Sequence, residues 1–200
     1  MNFEKLKHHK PRICDYIDCN EFSVLIPIVD YKGRQSILFQ IRSKILLKQP
    51  NEICFPGGRI EHAENPLQAV IRETCEELLI EEKSIEIFGE VDTLVTPFNT
   101  IIYPFAATLK SYQNTFGKDE VESVFYVPLE FLMDYKPKCS YLDVYMKPRE
   151  DFPFEKIPYG KDYPWAKGKY PAYFYEYEDK IIWGITARIL KSFIELLQTQ

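Results

Sequence analysis

The segment from Pro66 to Ile80 constrains this chain more than any other. It sets Glu73, Glu76 and Glu77 at i, i+3 and i+4, so on a helix the three carboxylates share one face. Leu67, Val70, Ile71, Thr74 and Leu78 fall toward another face and can pack on a sheet. Asn65 is placed to cap such a helix, and Pro66 suits its first position. The expectation is a helix over 66–80, anchored by one side and presenting three carboxylates on another. Folding asks for no such cluster, since like charges one turn apart cost roughly 0.2–0.5 kcal/mol per pair on an exposed helix. A hard divalent cation removes that penalty, and Mg²⁺ typically joins a few carboxylates to substrate phosphates while keeping several waters. The same spacing also describes a merely solvated acidic face, because Glu is common on exposed helices.

The upstream glycines shift that balance. Phe55-Pro56-Gly57-Gly58 reads as a tight, permissive loop. Gly58 precedes Glu64 by six residues, and Glu64 precedes Arg72 by eight. A loop carbonyl at Gly58 could then face the helix as a further metal ligand, and Arg72 is placed to pair with Glu76 at i, i+4. Gly58, Glu64, Arg72, Glu73, Glu76 and Glu77 all fall in register with the signature of the Nudix hydrolases, and Ile80 closes the pattern. Six fixed identities make a chance match on the order of one in ten million per start position. Two positions depart: Thr74 takes an apolar site, and Leu79 stands where the family has the glycine that helps end the helix.

The resemblance implies an α+β fold, an α/β/α sandwich around a mixed sheet, with the signature forming a loop–helix–loop. By matching positions, Glu73, Glu76 and Glu77 resemble the metal-binding and catalytic glutamates, and the Gly58 carbonyl resembles the backbone ligand. Glu64 and Arg72 resemble the supporting ion pair. The implied cofactor is Mg²⁺ or Mn²⁺, and the implied reaction is attack of an activated water on one phosphorus of a diphosphate. A further general base often comes from a later loop. Glu120 is the candidate, with Glu122 behind it, although each also reads as an exposed loop carboxylate.

The segment before the glycines bears on the substrate. Arg42, Ser43, Leu46, Ile53 and Phe55 to Gly58 resemble, without a gap, the extra motif of the coenzyme A pyrophosphatase branch of that family. Leu47, Gln49, Asn51 and Cys54 depart from it, and the first two changes remove groups that could hold phosphates or the CoA body. Thr96-Pro97, Tyr103-Pro104, Glu120-Val121, Val127-Pro128-Leu129 and Ile182 to Leu190 resemble the same branch. A guanidinium offers forked donors suited to phosphate, so Arg42 and Ser43, with Arg59 beside the glycines, are the candidate substrate-binding residues. Arg42 equally reads as half of a surface ion pair, and Lys48 flanks the same loop. Trp183 could stack a base, but a core position is expected instead. Tyr163, Trp165, Tyr170 and Tyr173 form either an aromatic wall over the substrate or the packing of a long loop.

Two other readings stand beside the CoA one. The chemistry could act on ADP-ribose, a dinucleotide or another nucleoside diphosphate derivative. A Nudix-fold binding module without turnover is the alternative outside enzymes, but its usual sign, loss of signature glutamates, is absent.

The remaining sequence fits one domain of 200 residues, enough to bury a real core. Alternation at Val24, Ile26 and Ile28 predicts a strand over 21–30, a turn at 30–33 and a returning strand over 35–41. Further strands are expected at 85–95, 101–109, 121–127 and within 173–183, a short helix at 128–134, and a terminal helix at 185–197. That helix carries Ile185, Ile189, Phe193 and Leu196 at helical spacing. Residues 143–171, rich in Pro, Tyr, Lys and Asp, read as a long ordered insertion. Strands and helices mix without strict alternation, which predicts a mixed sheet packed by helices.

Net charge is −5, which argues against generic nucleic-acid binding. No apolar run approaches the roughly 20 residues of a membrane span. The basic start lacks the apolar core of a signal peptide. Cys14, Cys19, Cys54, Cys75 and Cys139 are odd in number and form no CxxC pair, so reduced thiols and a cytoplasmic location are expected. The expected partner is a small nucleotide, not nucleic acid or membrane. By analogy with dimeric family members, the aromatic-rich C-terminal third could serve a homodimer.

Overall fold

The computed structural model describes residues 3–9, residue 13 and residues 19–199; Cys14 lies outside them. The elements run α1 (Glu4–Lys7), β1 (Asn20–Tyr31), β2 (Arg34–Arg42), β3 (Ile53–Cys54), β4 (Gly57–Arg59), α2 (Pro66–Leu78), β5 (Ile85–Glu90), β6 (Leu94–Thr96), β7 (Thr100–Leu109), β8 (Val121–Pro128), α3 (Leu129–Asp134), β9 (Lys138–Tyr145), β10 (Lys167–Tyr177), β11 (Lys180–Trp183) and α4 (Gly184–Gln198).

β1 and β2 form an antiparallel hairpin from Ile28↔Ile37 to Tyr31↔Arg34. Its turn uses Lys32 and Gly33, both at positive φ, and the Gly33 N–H donates to Asp30 Oδ1 at 2.9 Å. Away from the turn the two strands part. β1 there pairs with β4 and, in parallel, with β7, while β2 pairs with β3 and β8. The Phe55–Gly58 loop bridges this split, tied in by the Leu25 N–H donating to the Pro56 carbonyl at 2.8 Å. β5 and β6 pair with β7, so the eight-stranded sheet is mixed.

Side chains alternate across the sheet. Leu25, Val29, Leu38, Phe105 and Ala107 cluster with Val70 and Leu78 of α2. Their neighbours Ile26, Ile37, Phe39, Ile102 and Ala106 cluster with Leu132 of α3, Tyr175 of β10, Ile182 of β11, and Ala187, Leu190 and Phe193 of α4. Burial on both faces explains why β1 and β2 read as nearly continuous apolar runs.

Several expected boundaries shift. The strand predicted over 85–95 breaks at 91–93 into β5 and β6. The predicted insertion over 143–171 is strand at both ends, because β9 and β10 pair from Lys138↔Phe174 to Tyr145↔Lys167. What remains irregular is an arm over 146–166, held by its own rings: Trp165 meets Phe152 and Tyr163 edge-on, and Phe152 meets Phe154. Trp183 is 47% exposed and stacks on Phe174 across β11 and β10, which overturns its expected core position. In α4 the buried stripe is Thr186, Ala187, Ile189, Leu190, Phe193 and Ile194, leaving Ile185 and Leu196 at the surface. Among the described residues no helix is long and apolar enough to cross a membrane.

Candidate active site

The start of α2 is fixed by a capping box. Asn65 Oδ1 accepts from the Gln68 N–H at 2.9 Å, and Gln68 Oε1 accepts from the Asn65 N–H at 3.0 Å. The last turn is fixed from outside. Thr115 Oγ1 donates to the Leu78 carbonyl at 2.6 Å, and the Gly117 N–H donates to the Glu77 carbonyl at 2.9 Å. Those carbonyls have no partner within the helix, so the β7–β8 loop satisfies them. The same loop continues into Glu120, whose carbonyl accepts from the Ser43 N–H at 2.9 Å. Helix capping thus brings the loop carboxylate to the glutamate face.

Arg72 is the hub of that face. Its Nε and Nη2 grip Glu64 in a two-pronged pair at 2.7 and 3.0 Å. Its Nη1 donates to Glu73 at 2.9 Å and to Glu76 at 3.3 Å, and Nη2 reaches the Arg59 carbonyl at 3.3 Å. This pairing raises the Arg72 pKa and lowers that of Glu64.

Glu77 lies apart from Arg72 and is only 3% exposed. Its Oε2 accepts from the Gly57 N–H and from Gln40 Nε2, both at 2.9 Å. Burial pushes its pKa up to about 7; the two donors pull it down, and the Glu120 and Glu73 charges raise it further. Burial also raises Glu73, against the pull of Arg72 and with the charges of Glu76 and Glu120. Glu120 is therefore electrostatically part of this site, while Glu122 turns to Lys44 at 3.4 Å.

The two glycines serve different contacts. Gly57 has φ +142°, and a Cβ there would lie 2.2 Å from the Ser23 carbonyl oxygen. A Cβ on Gly58 would lie 2.3–2.4 Å from the Glu73 carboxyl group, so the missing side chain is the seat of that carboxylate.

Of the candidate substrate contacts, Arg59 is exposed and held by Asn20 at 3.2 Å. Arg42 is half-buried, and its Nε has no partner among the described residues. Ser43 is 2% exposed, so its buried hydroxyl is remote from solvent and its N–H serves Glu120. Tyr170 packs on Phe98 and under the Arg188 guanidinium, whereas Tyr163 and Trp165 belong to the arm. Sequence reasoning missed Gln40. The signal was there, as a lone amide inside the apolar run Ile37-Leu38-Phe39-Gln40-Ile41.

Among the described residues no three His, Cys, Asp or Glu side chains stand grouped as a cage for an ion. Arg72 supplies the local positive charge. The donors nevertheless suit a hard cation: they are all oxygen, and Glu73 and Glu76 already share one charged atom, Arg72 Nη1. Glu77 also keeps one carboxylate oxygen without a protein hydrogen bond among the described residues. Glu73, Glu76, Glu77 and the Gly58 carbonyl are the groups that could hold Mg²⁺ or Mn²⁺.

The family model of the NUDIX domain matches residues 20–143. Nudix hydrolase 3 of Caenorhabditis elegans is 36% identical over 129 residues, covering 62% of this chain and 54% of that protein. Peroxisomal coenzyme A diphosphatase NUDT7 of Mus musculus is 30% identical over 120 residues, covering 59% of this chain and 51% of that protein. The chain thus spans about half the length of these two relatives. The crystal structure of a MutT/nudix family protein from Enterococcus faecalis overlays 98% of this chain and 67% of its own, with a TM-score of 0.54 at 12% identity, a likeness of fold alone.

Proposed function

The chain belongs to the Nudix family, and from that premise we propose that it hydrolyses the diphosphate linkage of a nucleoside diphosphate derivative, with coenzyme A or acyl-CoA as substrate. The observation that carries this reading is the seating of Glu73 against Gly58 while Glu77 is gripped at Gly57, which sets two helix carboxylates against the backbone of the glycine loop. Mg²⁺ or Mn²⁺, held by Glu73, Glu76, Glu77 and the Gly58 carbonyl, would polarise the phosphoryl oxygens and acidify the attacking water. Glu120 takes the proton of that water. The Glu64–Arg72 pair holds Glu73 and Glu76 in place. Arg59 and Arg42 receive phosphate oxygens, and Ser43 fixes the Glu120 loop through its backbone N–H.

The CoA choice draws support from the Arg42–Gly58 segment and from the likeness to NUDT7, itself named a coenzyme A diphosphatase. Leu47, Gln49, Asn51 and Cys54 favour a second reading, with ADP-ribose or a dinucleotide as substrate. We assign a cytoplasmic location from the reduced-thiol pattern; the peroxisomal relative sets the competing compartment, and fractionation separates the two.

The test is mass spectrometry of products from a mixed substrate panel in ¹⁸O water with Mg²⁺ or Mn²⁺. CoA hydrolysis yields an adenosine bisphosphate and phosphopantetheine, and the label identifies the attacked phosphorus. Turnover of another substrate with CoA untouched overturns the CoA assignment. No turnover anywhere, with the chain folded, overturns hydrolysis itself.

A further inference from the structure

Gln40 lies on β2 with its side chain toward α2 and is fully buried. Strand alternation sets it on the same face as Leu38, which packs in the α2 cluster. Its Nε2 donates to Glu77 Oε2 at 2.9 Å and lies 3.6 Å from the Cys54 sulfur. The Gly57 N–H donates to the same carboxylate oxygen. Two donors therefore converge on Oε2, while Oε1 carries no protein hydrogen bond among the described residues.

The other end of the Gln40 amide is informative. Its carbonyl oxygen is buried and finds no partner among the described residues. Leaving such a buried acceptor unmade is a net loss to stability, and a Leu or Met would fill the space without it. A flipped amide would aim the carbonyl at the carboxylate, so only the donor orientation is compatible with an ionised Glu77. The amide is thus kept at a stability cost that packing does not explain.

We propose that Gln40 is a positioning residue: with the Gly57 N–H it pins one oxygen of Glu77, so that the other is presented to a divalent cation as a single-oxygen ligand. The inference rests on the metal site of the proposed function but goes beyond it, because the carboxylate geometry is set from the sheet behind the helix. Partners of this kind typically change metal affinity or activity by about 10- to 100-fold when removed.

The test uses the full chain and Mn²⁺ alone, reading free ion by electron paramagnetic resonance. Gln40→Met keeps the volume and removes the donor. Its Mn²⁺ affinity is expected to fall about ten-fold, with the melting temperature in chelator nearly unchanged. Cys54→Ala removes the other Gln40 contact and is expected to leave Mn²⁺ affinity as in the wild type. On a Glu77→Gln background, Gln40→Met should produce no further loss. Undiminished Mn²⁺ affinity in Gln40→Met overturns this inference alone, as does an equal loss in Cys54→Ala. Wild-type protein that takes up no Mn²⁺ overturns it together with the metal-dependent reading. For a turned-over substrate, kcat should fall in Gln40→Met while KM stays put.

Discussion

At the scale of single residues, neighbouring glycines make opposite demands. Gly57 combines a left-handed φ with a backbone oxygen where its Cβ would go. Gly57→Ala should therefore destabilise the fold by at least about 2 kcal/mol in urea melts. At Gly58 the obstacle is the mobile end of Glu73, which can swing aside. Gly58→Ala should keep most of the stability and lose Mn²⁺ binding and hydrolysis; equal destabilisation by both changes would refute this division. Glu77 adds a pH signature. Its pKa rises from the ordinary 4.5 to about 7 on folding, mainly through burial. Folding thus favours its protonated form relative to the unfolded chain, although the carboxylate still ionises as pH passes about 7. The stability it contributes is full below pH 4.5 and is lost as pH climbs through about 7, amounting to about 3 kcal/mol. In chelator, melting temperatures should fall between pH 5 and 8 in the wild type. They should fall less steeply in Glu77→Gln, whose amide oxygen can still accept from Gly57 and Gln40, because Glu73, also raised by burial, still titrates. A wild-type slope that survives the substitution would assign the effect elsewhere.

At the scale of elements, the exit of α2 shows what a departure from the family pattern costs. Leu79 adopts φ 53° and ψ 49°, the left-handed cap that a glycine takes without penalty, and its N–H still reaches the Cys75 carbonyl. An L-residue there costs roughly 1–2 kcal/mol, and glycine in the unfolded chain gives part of that back. Leu79 is exposed, so little packing is lost on removing it. Leu79→Gly should stabilise the protein by about 0.5–1 kcal/mol, read from urea midpoints at unchanged slope. This helix was legible because charge spacing, cap and apolar stripe agree. The stripe itself shifts slightly: Ala69 and Glu77 are buried where Leu67 is exposed. β9 was not legible, since seven of its eight residues are exposed, so no apolar alternation marks it. Its pairing with β10 rests on the backbone ladder and on exposed side-chain contacts such as Lys138–Glu176 at 2.9 Å and Lys169 over the Tyr141 ring, none of which leaves an apolar pattern. Gln40 escaped for a related reason. A polar residue in a strand signals a site only once the helix opposite it is known.

At the scale of the molecule, the site and the arm are assembled separately. Every residue assigned to the metal or to its support lies between Gln40 and Glu120, on the split sheet, α2 and the loops that flank them. The arm over 146–166 holds itself with Phe152, Phe154, Tyr163 and Trp165, whereas the sheet cores draw on Tyr175, Ile182 and α4 beyond it. Segments with few buried contacts open locally at low free-energy cost, so the arm should yield to protease before the body. Brief trypsin treatment should cut first after Arg149, Lys156 or Lys161, as mass mapping would reveal. Replacing 147–165 by a short Gly-Ser turn should leave the melting temperature in chelator within about 3 °C of the wild type, about 1 kcal/mol in a domain this size. Mn²⁺ affinity should also be unchanged. A larger fall would make the arm part of the cooperative fold. Unchanged Mn²⁺ affinity with a raised KM for CoA would instead assign its tyrosines and lysines to the far end of the substrate.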